Sequence, residues 1–440
     1  MKYYSTNGKA PIADLHKAVV KGLAEDRGLY MPEKINKLPK EFFDNIEKMS
    51  FQEIAYTVAS AFFGEDVDPD ALHDIVYDTL QFDCPVVNVK DNIYTLELFH
   101  GPTLAFKDVG ARFMARLLQY FIKQENNHKE VNVLVATSGD TGSAVANGFL
   151  GVDGIHVYVL YPKGKVSPIQ ECQFTTLGKN ITAIEVDGVF DDCQALVKNA
   201  FMDAELNEHM KLTSANSINV ARFLPQAFYY FNAYARMKEI ANTQHLSPNN
   251  QLVMCVPSGN FGNICAALFG HEMGLPIKRF IAANNANDIF YNYLQTGKYE
   301  PKPSKQTLAN AMDVGDPSNF ARIYDLYGKS HAKITSLISG ATYSDEQIKA
   351  TMRECYKDSG YILDPHGACG YQALKDGLQA GEVGVFCETA HPAKFKEKVD
   401  DILGIDVEIP ERLAAFMRGQ KQSVPMSKDF ADFKAFLMKQ

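Results

Sequence analysis

From residue 131 onward, short apolar runs alternate with segments of helical periodicity. Residues 131–137 are nearly all apolar, and similar runs follow at residues 155–161 and 181–186, each ahead of a helical pattern. A strand without polar alternation is buried on both faces, and helices between successive strands place it in a parallel sheet. The sequence therefore predicts an α/β fold with doubly wound parallel sheets.

The strand-and-helix pattern stops at a polar break, Ser-Pro-Asn-Asn at residues 247–250, and then begins again. We interpret the restart as a second lobe, so the chain is predicted to hold two doubly wound parallel-sheet lobes. The smaller α/β domain is predicted to span residues 91–240 and the larger one residues 241–440. Residues 1–90 show apolar stripes at helical spacing and predict a mostly helical accessory domain.

Composition and charge narrow the classes of function. The chain has 440 residues, 46% of them hydrophobic and 22% charged, as is ordinary for a globular protein. Its net charge of −9 argues against a general surface for nucleic acid or anionic membrane, so we expect neither as a partner. No stretch approaches the roughly 20 apolar residues of a membrane span, and the eight cysteines have no disulfide-like or zinc-like spacing. We therefore expect reduced thiols, no metal site and a cytoplasmic location.

A lysine stands at the point where a strand passes into a helix. Residues 100–103, His-Gly-Pro-Thr, break the strand, and apolar residues at helical spacing follow from Asp108. Lys107 therefore lies in the first turn of the helix. There the positive end of the helix dipole and the apolar neighbour Phe106 would both lower the pKa of its ammonium. A lysine of that kind can form Schiff bases, and the alternative is a surface lysine at a helix start.

Two strand-to-helix loops share the form Ser-Gly-(Asp/Asn)-x-Gly-(Ser/Asn), at residues 138–143 and 258–263. Each loop presents backbone N–H groups and the positive end of a helix dipole, and its glycines let an anion approach closely. Either loop alone could be an ordinary tight turn, but one in each lobe indicates two anionic groups. Neither loop matches a dinucleotide-binding or Walker pattern.

A Schiff-base lysine with two anion loops describes a pyridoxal phosphate site that acts on an amino acid. The sequence also resembles the threonine synthases of the longer-chain kind, within the fold-type II, tryptophan synthase β-like, pyridoxal phosphate enzymes. The resemblance runs from Gly-Leu-Tyr-Met-Pro at residues 28–32 to residues 388–395. Its most specific part is His-Gly-Pro-Thr-Leu-Ala-Phe-Lys-Asp at residues 100–108.

The resemblance implies a role for each residue of the site. Lys107 would carry the cofactor, with Phe106 beside it, and would act as the catalytic residue, while Thr389 would hydrogen-bond the pyridine nitrogen. The loop that binds the cofactor phosphate would consist of Gly259, Asn260, Phe261, Gly262 and Asn263. The residues that receive the substrate carboxylate would be Thr137, Ser138, Asp140 and Thr141. Those that face the substrate phosphate would be Asn216, Ser217, Asn219 and Arg222.

Asp140 departs from the wider fold family, in which many members have Asn at this position. The family Asn contacts the phenolic oxygen of the cofactor. An aspartate there would repel that oxygen unless one of the two oxyanions is protonated. The resemblance therefore leaves the role of Asp140 open.

The reaction implied by the resemblance converts O-phospho-L-homoserine and water into L-threonine and phosphate, by β,γ-elimination and then hydration. It is a carbon–oxygen lyase reaction and the last step of threonine biosynthesis. Two alternatives stay open: an O-phosphohomoserine phospho-lyase that releases 2-oxobutyrate, and a catalytically silent protein that binds a phosphometabolite. We expect a monomer or a homodimer. His100 and His366 are interpreted as structural turn residues.

Overall fold

The computed structural model describes residues 1–244 and 251–440. The polar break predicted at residues 247–250 lies outside the described residues. Strands and helices alternate along most of the rest of the chain, as the sequence predicts.

The strands are short in the N-terminal part and longer in the two main sheets. In chain order they are β1 (Lys2–Ser5), β2 (Ala13–Asp14), β3 (Tyr30–Pro32), β4 (Val86–Lys90), β5 (Ile93–Glu97), β6 (Val131–Ala136), β7 (Ile155–Pro162), β8 (Ile181–Asp187), β9 (Lys211–Ser214), β10 (Gln251–Pro257), β11 (Arg279–Asn284), β12 (Ile338–Thr342), β13 (Glu382–Glu388) and β14 (Val424–Ser427).

The helices connect and cover these strands. In chain order they are α1 (Leu15–Lys21), α2 (Lys40–Asn45), α3 (Phe51–Phe63), α4 (Pro69–Thr79), α5 (Lys107–Gln124), α6 (Asp140–Phe149), α7 (Pro168–Thr175), α8 (Phe190–Met202), α9 (Ala204–His209), α10 (Val220–Phe223), α11 (Ala227–Thr243), α12 (Gly262–Glu272), α13 (Ile289–Thr296), α14 (Phe320–Leu326), α15 (His331–Leu337), α16 (Asp345–Ser359), α17 (Pro365–Gly377), α18 (Lys396–Leu403), α19 (Glu411–Met417) and α20 (Phe430–Met438).

The chain divides into two compact units. The larger unit comprises Met1, Met31–Phe106 and Phe223–Glu408. The smaller unit comprises Lys2–Tyr30, Lys107–Arg222 and Ile409–Gln440. Each unit therefore collects segments that are far apart in the sequence.

The larger unit is built on a six-stranded sheet of order β12-β11-β10-β13-β5-β4. Five of these strands run parallel, whereas β4 pairs antiparallel with β5 because only two residues connect them. β10 is buried over six of its seven residues, and α12 directly after it is buried along most of its length. Burial on both faces explains why β10 shows no polar alternation in the sequence.

The smaller unit is built on a five-stranded parallel sheet of order β14-β8-β7-β6-β9. Every residue of β6 is buried, as are seven of the eight residues of β7. These are the two apolar runs from which the parallel sheet was predicted. The predicted α/β class, with parallel sheets and a helical N-terminal part, is confirmed.

The predicted domain boundaries, 1–90, 91–240 and 241–440, do not coincide with the two units. β5 pairs with β13, so the segment just before Lys107 belongs to the larger unit and not to the predicted smaller domain. β14 pairs with β8, so the C-terminal segment completes the smaller unit. Strand pairing joins distant parts of the chain, and domain assignment in chain order cannot detect it.

The N-terminal part is likewise shared between the two units. It contains α1 to α4, as the helical stripes predict, together with a small sheet of order β2-β1-β3. α3 starts with a capping box formed by Ser50 and Glu53 and packs against α11 inside the larger unit. These contacts place residues 31–90 in the larger unit.

Candidate active site

In the larger unit, the residues predicted to bind the cofactor lie at one edge of the sheet. β10, β13 and β5 are parallel neighbours, so their carboxyl ends meet at the same edge. β10 leads into residues 258–263, β13 leads into Thr389, and β5 leads into the segment that ends at Phe106. Ligands of open α/β sheets bind at this edge. The residues of this unit that were predicted to bind the cofactor therefore follow strands that end at the same edge of the sheet.

The smaller unit gathers the predicted substrate residues in the same way. β6 and β9 are parallel neighbours, and they lead into residues 137–141 and 216–222. α5 begins at Lys107, whose Nζ donates a hydrogen bond of 2.8 Å to Oγ1 of Thr141 in the first turn of α6. The predicted Schiff-base lysine and the predicted carboxylate loop are thus in direct contact.

A glycine allows α5 and α6 to pack closely against each other. A Cβ added at Gly148 of α6 would lie 2.9 Å from the carbonyl carbon of Ala111 in α5. That distance leaves no room for a side chain. The N-terminal part of α5 therefore packs directly against the C-terminal turn of α6.

The backbone before Lys107 is fixed by residues around Thr389. Phe106 donates its backbone N–H to the carbonyl oxygen of Thr389 at 2.8 Å, and the N–H of His391 donates to the carbonyl oxygen of Leu104 at 3.0 Å. Leu104 has a φ of +60°, a left-handed conformation that leucine adopts only where its surroundings hold it. Phe106 and Thr389 are therefore neighbours within the larger unit.

Thr137 organises the loop in which it was predicted to bind substrate. Its buried Oγ1 accepts hydrogen bonds from the backbone N–H groups of Gly139 at 2.9 Å and Gly142 at 2.8 Å. Gly139 has a φ of +151°, and a Cβ there would lie 2.7 Å from a neighbouring side chain, so this position requires glycine. Two N–H groups of the loop are thus used within the protein. Ser138 is exposed and Thr141 is half-buried.

Asp140 is buried at the start of α6, where it faces Gln170. Oδ1 of Asp140 accepts a hydrogen bond of 3.2 Å from Nε2 of Gln170, and Oε1 of Gln170 accepts one of 3.1 Å from the hydroxyl of Ser167. The second bond fixes the orientation of the amide, since only its nitrogen can then donate to a carboxylate. The helix dipole also favours a carboxylate at this position. One role of Asp140 is therefore to hold Gln170 against the loop.

The side chain of Asn263 fixes the second glycine-containing loop from within. Oδ1 of Asn263 accepts hydrogen bonds from Oγ of Ser258 at 2.8 Å and from the N–H of Ile264 at 2.9 Å. Its Nδ2 donates to the carbonyl oxygen of Pro257 at 2.9 Å. The amide thus ties the end of β10 to the first turn of α12, and the loop shape is set before any ligand binds.

A segment at residues 309–319 packs against the same loop. Oδ1 of Asn260 accepts the N–H of Ser318 at 2.7 Å. A Cβ at Gly259 would lie 2.8 Å from the carbonyl oxygen of Ala311, so only glycine fits there. The amide groups of Asn260 and Asn263 therefore shape the loop through protein contacts.

The N-terminus of α12 suits a phosphate group. Its N-cap is Phe261, which has a φ of +67° and makes no side-chain hydrogen bond to the first turn. Helix starts leave several N–H donors to be satisfied by side chains, water or a ligand, and the dipole favours an anion there. One donor of this first turn is already used, because Oδ1 of Asn263 accepts the N–H of Ile264, as Thr137 accepts the N–H of Gly142 in α6. The donors at residues 259–263 therefore fit the phosphate of pyridoxal phosphate.

Asn219 and Arg222 are buried in the turn after β9. Nδ2 of Asn219 donates to the carbonyl oxygen of Val19 at 2.9 Å, and its Oδ1 accepts a backbone N–H two residues further on. The guanidinium of Arg222 donates to the carbonyl oxygen of Ala215. Burial lowers the pKa of Arg222 to about 10, and the charge of Asp108 in α5 opposes part of that shift. Both side chains therefore order the turn in which they were predicted to bind phosphate.

Sequence reasoning missed two groups of residues at the cofactor edge of the larger unit. One is the segment 309–319, which supports residues 258–263. The other is a buried cluster of Asp364, His366 and Glu388. The motif around Asp364 predicts a helix start, and α17 does begin there with Asp364 as its N-cap. Nothing in that motif indicates that Glu388 of β13 lies beside it.

Neither a membrane-spanning helix nor a metal-binding cluster occurs in the part of the chain that the structure describes. Among residues 1–244 and 251–440, no helix is both long and apolar enough to cross a bilayer. In that part of the chain, no group of three or more His, Cys, Asp or Glu side chains could hold a metal ion. The eight cysteines are free thiols, and most of them are buried.

Three family models match this chain. "Pyridoxal-phosphate dependent enzyme" matches residues 82–387, "Threonine synthase N terminus" matches residues 2–80, and "Threonine synthase, C-terminal" matches residues 367–437. The first model covers most of the chain, and the other two extend the match towards both ends.

Whole proteins of the same family are similar over their full length. The threonine synthase of Serratia marcescens is 44% identical over 438 residues, which cover 100% of this chain and 99% of that protein. The crystal structure of threonine synthase from Escherichia coli covers 100% of both chains at 43% identity, with a TM-score of 0.90. The X-ray structure of PLP-bound threonine synthase from Brucella melitensis covers 100% of this chain and 99% of that one at 34% identity, with a TM-score of 0.92. The predicted site residues lie at the carboxyl edges of the two sheets, a lysine begins α5, and the chain is similar to threonine synthases over its entire length. This chain therefore belongs to the threonine synthase family of pyridoxal phosphate-dependent enzymes.

Proposed function

We propose that this protein converts O-phospho-L-homoserine and water into L-threonine and phosphate, as a carbon–oxygen lyase of the threonine synthase family. The observation that carries the proposal is the hydrogen bond of 2.8 Å between Nζ of Lys107 and Oγ1 of Thr141. It joins the amine that would react with the carbonyl group of the cofactor to the loop proposed for the substrate carboxylate.

Lys107 is the proposed catalytic residue. Pyridoxal phosphate, when bound, supplies an electron sink that stabilises negative charge at the α-carbon of an amino acid. Lys107 would hold the cofactor, and its Nζ, once released, would take the α-proton of the substrate. The hydrogen bond to Thr141 would orient that nitrogen. The same amine could return a proton to the γ-carbon after phosphate leaves, because the reaction needs a base and then an acid near neutral pH.

The cofactor is proposed to bind along the carboxyl edge of β10, β13 and β5. Its phosphate would bind the N–H groups at the start of α12, in the loop of Gly259, Asn260, Phe261, Gly262 and Asn263. Thr389 would hydrogen-bond the pyridine nitrogen, and Phe106 would lie beside the ring. Thr389 is a neutral hydroxyl, so it would not stabilise a proton on that nitrogen as a carboxylate would.

The substrate is proposed to bind at the carboxyl edge of β6 and β9. Its carboxylate would be received by the loop containing Thr137, Ser138, Asp140 and Thr141. Its phosphate would lie at the turn of Asn216, Ser217, Asn219 and Arg222. Asn219 and Arg222 bond to backbone groups of the turn, so we propose that both fix its shape and that Arg222 supplies its positive charge. Asn216 and Ser217 are half-buried and would contact the phosphate directly.

One incubation tests this function against its alternatives. The purified protein is supplied with O-phospho-L-homoserine, and phosphate, threonine and 2-oxobutyrate are measured together. We expect phosphate and threonine in equal amounts. Phosphate with 2-oxobutyrate in place of threonine would identify a phospho-lyase. Binding of the substrate without any product would identify a catalytically silent phosphometabolite-binding protein.

We also propose a cytoplasmic location and a monomeric or homodimeric assembly. The eight free thiols support the location, because cysteines of proteins in oxidising compartments are commonly paired. Fractionation of the source cells tests the location, and light scattering of the purified protein tests the assembly. A periplasmic or membrane fraction, or a larger oligomer, would contradict these two proposals.

A further inference from the structure

A buried cluster of titratable groups lies at the cofactor edge of the larger unit, and the proposed reaction does not use it. Asp364 is the N-cap of α17, His366 lies in the first turn of that helix, and Glu388 is the last residue of β13. All three side chains are almost completely buried. Buried charges are costly unless they are paired and hydrogen-bonded, so the protons of this cluster must be arranged in a specific way.

Glu388 and Asp364 bring two carboxyl groups together. Oε1 of Glu388 accepts the backbone N–H of Asp364 at 2.8 Å, while its Oε2 is buried and accepts no hydrogen bond within the described chain. Burial, and then the charge of Asp364, raise the pKa of Glu388 well above its usual range. Burial also acts to raise the pKa of Asp364, but His366 and a hydrogen bond from Glu388 lower it below its usual value. The two opposite shifts place a proton on Glu388, in a hydrogen bond that it donates to the carboxylate of Asp364.

The ring of His366 is held in one tautomer. Its Nε2 accepts the backbone N–H of Ala311 at 3.1 Å and therefore carries no proton. Its Nδ1 must then carry the proton, which it donates to Oδ2 of Asp364 at 2.5 Å. Asp364 thus accepts from Glu388 on one side and from His366 on the other. The chain of bonds runs from Glu388 through Asp364 and His366 to the backbone of Ala311.

The backbone of Ala311 packs against Gly259 of the proposed phosphate loop. A Cβ at Gly259 would lie 2.8 Å from the carbonyl oxygen of Ala311 and 2.8 Å from Cα of Met312, so the two backbones are in contact. Within this segment, Asp313 accepts a hydrogen bond of 2.7 Å from Oγ1 of Thr307. His366 and Asp313 therefore both fix the segment that supports Gly259.

We propose that Glu388, Asp364 and His366 form a positioning relay. The relay holds the backbone of Ala311 against Gly259 and thereby determines the shape of the phosphate loop. This inference rests on the proposed assignment of residues 258–263 to the cofactor phosphate. The relay begins at the residue before Thr389, so it links the part of the site proposed for the pyridine nitrogen to the part proposed for the phosphate. All three are positioning residues, because the proposed reaction moves no proton through them.

The test compares the affinity of the cofactor-stripped, full-length protein for pyridoxal phosphate and for pyridoxal, which lacks the phosphate. Asp364→Asn replaces the acceptor of both donors, so the preference for pyridoxal phosphate should fall at least about tenfold, the size of one lost hydrogen bond to a charged group. Affinity for pyridoxal should stay within about twofold of the wild type. If Asp364→Asn does not fold, His366→Phe tests the same link by removing the two ring nitrogens.

A rescue variant and a control separate positioning from general destabilisation. Glu388→Gln places an NH₂ donor where Glu388 has its O–H, so it should keep the wild-type preference, whereas Glu388→Leu should lose it. Glu382→Gln removes a buried carboxylate from the other end of β13 and should leave the preference unchanged.

Three outcomes would overturn the relay. If Asp364→Asn loses affinity equally for pyridoxal phosphate and for pyridoxal, the relay does not act on the phosphate loop. If Glu388→Gln does not keep the preference for pyridoxal phosphate over pyridoxal, the hydrogen bond donated by Glu388 is not part of the relay. Wild-type affinity for pyridoxal phosphate in Gly259→Val would instead refute the phosphate-loop assignment itself, and the relay would lose its basis.

Discussion

At the scale of single residues, Lys107 occupies the most demanding position in the chain. It is the first residue of α5, follows a backbone segment fixed to Thr389, and bonds to the hydroxyl of Thr141. A lysine held in this way can react at a defined point, because its nitrogen is oriented by the hydrogen bond to Thr141. Its position therefore supports two proposed roles for one atom: attachment of the cofactor and transfer of a proton.

Replacing this lysine separates folding from chemistry. Lys107→Ala should leave the thermal midpoint near that of the wild type, because the side chain is half-buried and its loss opens no apolar cavity. The visible absorbance of lysine-bound cofactor should disappear, and turnover should fall at least about 10³-fold. Absorbance after borohydride reduction and release of threonine are the measurements. Threonine production at the wild-type rate would remove Lys107 from the mechanism.

Thr141→Val is the matched control for this variant. It removes the acceptor of Nζ and keeps the lysine itself. Cofactor attachment should therefore persist, while the rate falls about tenfold through loss of orientation. A complete loss of cofactor in Thr141→Val would indicate that the hydrogen bond serves attachment and not orientation.

The sequence motifs predicted candidate side chains at the ends of the strands, but they gave no indication of the hydrogen-bond partners of those side chains. Thr137, Asn219 and Asn263 all occur in motifs assigned to ligands, and all three bond to backbone groups of their own turns or of nearby segments. A sequence motif does not distinguish a side chain that touches a ligand from one that shapes the loop around it. The interpretation of His366 as a structural turn residue accounts for its place in α17, but the pattern gives no sign of its bond to Ala311.

At the scale of elements, the two similar loops differ in the charge that they carry. The first turn of α6 contains the buried carboxyl group of Asp140, whereas residues 258–263 contain the amide groups of Asn260 and Asn263 and no charged side chain. A carboxylate repels a dianionic phosphate more strongly than it repels a monoanionic carboxylate. This difference supports the assignment of residues 258–263 to the cofactor phosphate and of residues 137–141 to the substrate carboxylate.

One variant in each loop tests this assignment. Gly262→Val places a branched side chain at the start of α12, so the purified protein should retain little pyridoxal phosphate, because the anion can no longer approach the backbone. Ser138→Ala removes an exposed hydroxyl from the other loop. It should retain the cofactor and raise the substrate concentration for half-maximal rate about tenfold. Cofactor content and substrate titration are the measurements, and the opposite pattern would exchange the two loops.

Gly142 is a poor choice for the second variant, for a structural reason. A Cβ there would lie 2.5 Å from Cγ2 of Thr137 and 2.9 Å from Cγ1 of Val159. Any substitution would therefore distort the loop itself, and a loss of activity would not report on substrate binding. Ser138 avoids this problem because its side chain is exposed.

The first residue of β13 determines how the larger sheet responds to acid. Glu382 is buried and bonds to Arg279, the first residue of β11, at 2.7 Å and to Lys278, the residue before it, at 2.9 Å. The hydrogen bonds from Arg279 lower the pKa of Glu382 to about 2. An unfolded glutamate titrates near 4.3, so this ion pair stabilises the fold fully above about pH 4.3 and loses its contribution as the pH falls towards about 2.

Glu382→Gln should remove part of this dependence on pH. Between about pH 6 and about pH 2, the free energy of unfolding of the wild type should fall by about 2 kcal/mol more than that of the variant. Urea unfolding at a series of pH values measures the difference. Glu411→Gln is the control, since Glu411 pairs with Arg418 on the exposed surface and such pairs contribute little. Identical pH slopes for the wild type and Glu382→Gln would show that the pair does not stabilise the folded state.

At the scale of the whole molecule, the order of segments along the chain is not their order in space. The parallel sheets followed from apolar runs such as β6 and β10, because burial on both faces leaves a clear signal in one strand. The composition of the two units did not follow, since it depends on which strands pair. β5 joins β13, and β14 joins β8, although neither pair is close in sequence. Short strands such as β14 carry too few residues for a periodic pattern to define them.

The last consequence of this arrangement is that the end of the chain stabilises the smaller unit. Phe433 and Leu437 of α20 are buried in the same apolar cluster as Leu134 of β6 and Ile184 of β8. Phe433→Ala should therefore destabilise the smaller unit by about 3–5 kcal/mol, the usual cost of a cavity left by a buried phenylalanine. Phe436→Ala, on the same helix but only partly buried, should cost about 1–2 kcal/mol. Urea unfolding followed by circular dichroism measures both, and equal costs for the two variants would mean that α20 packs on the surface of the unit and not into its core.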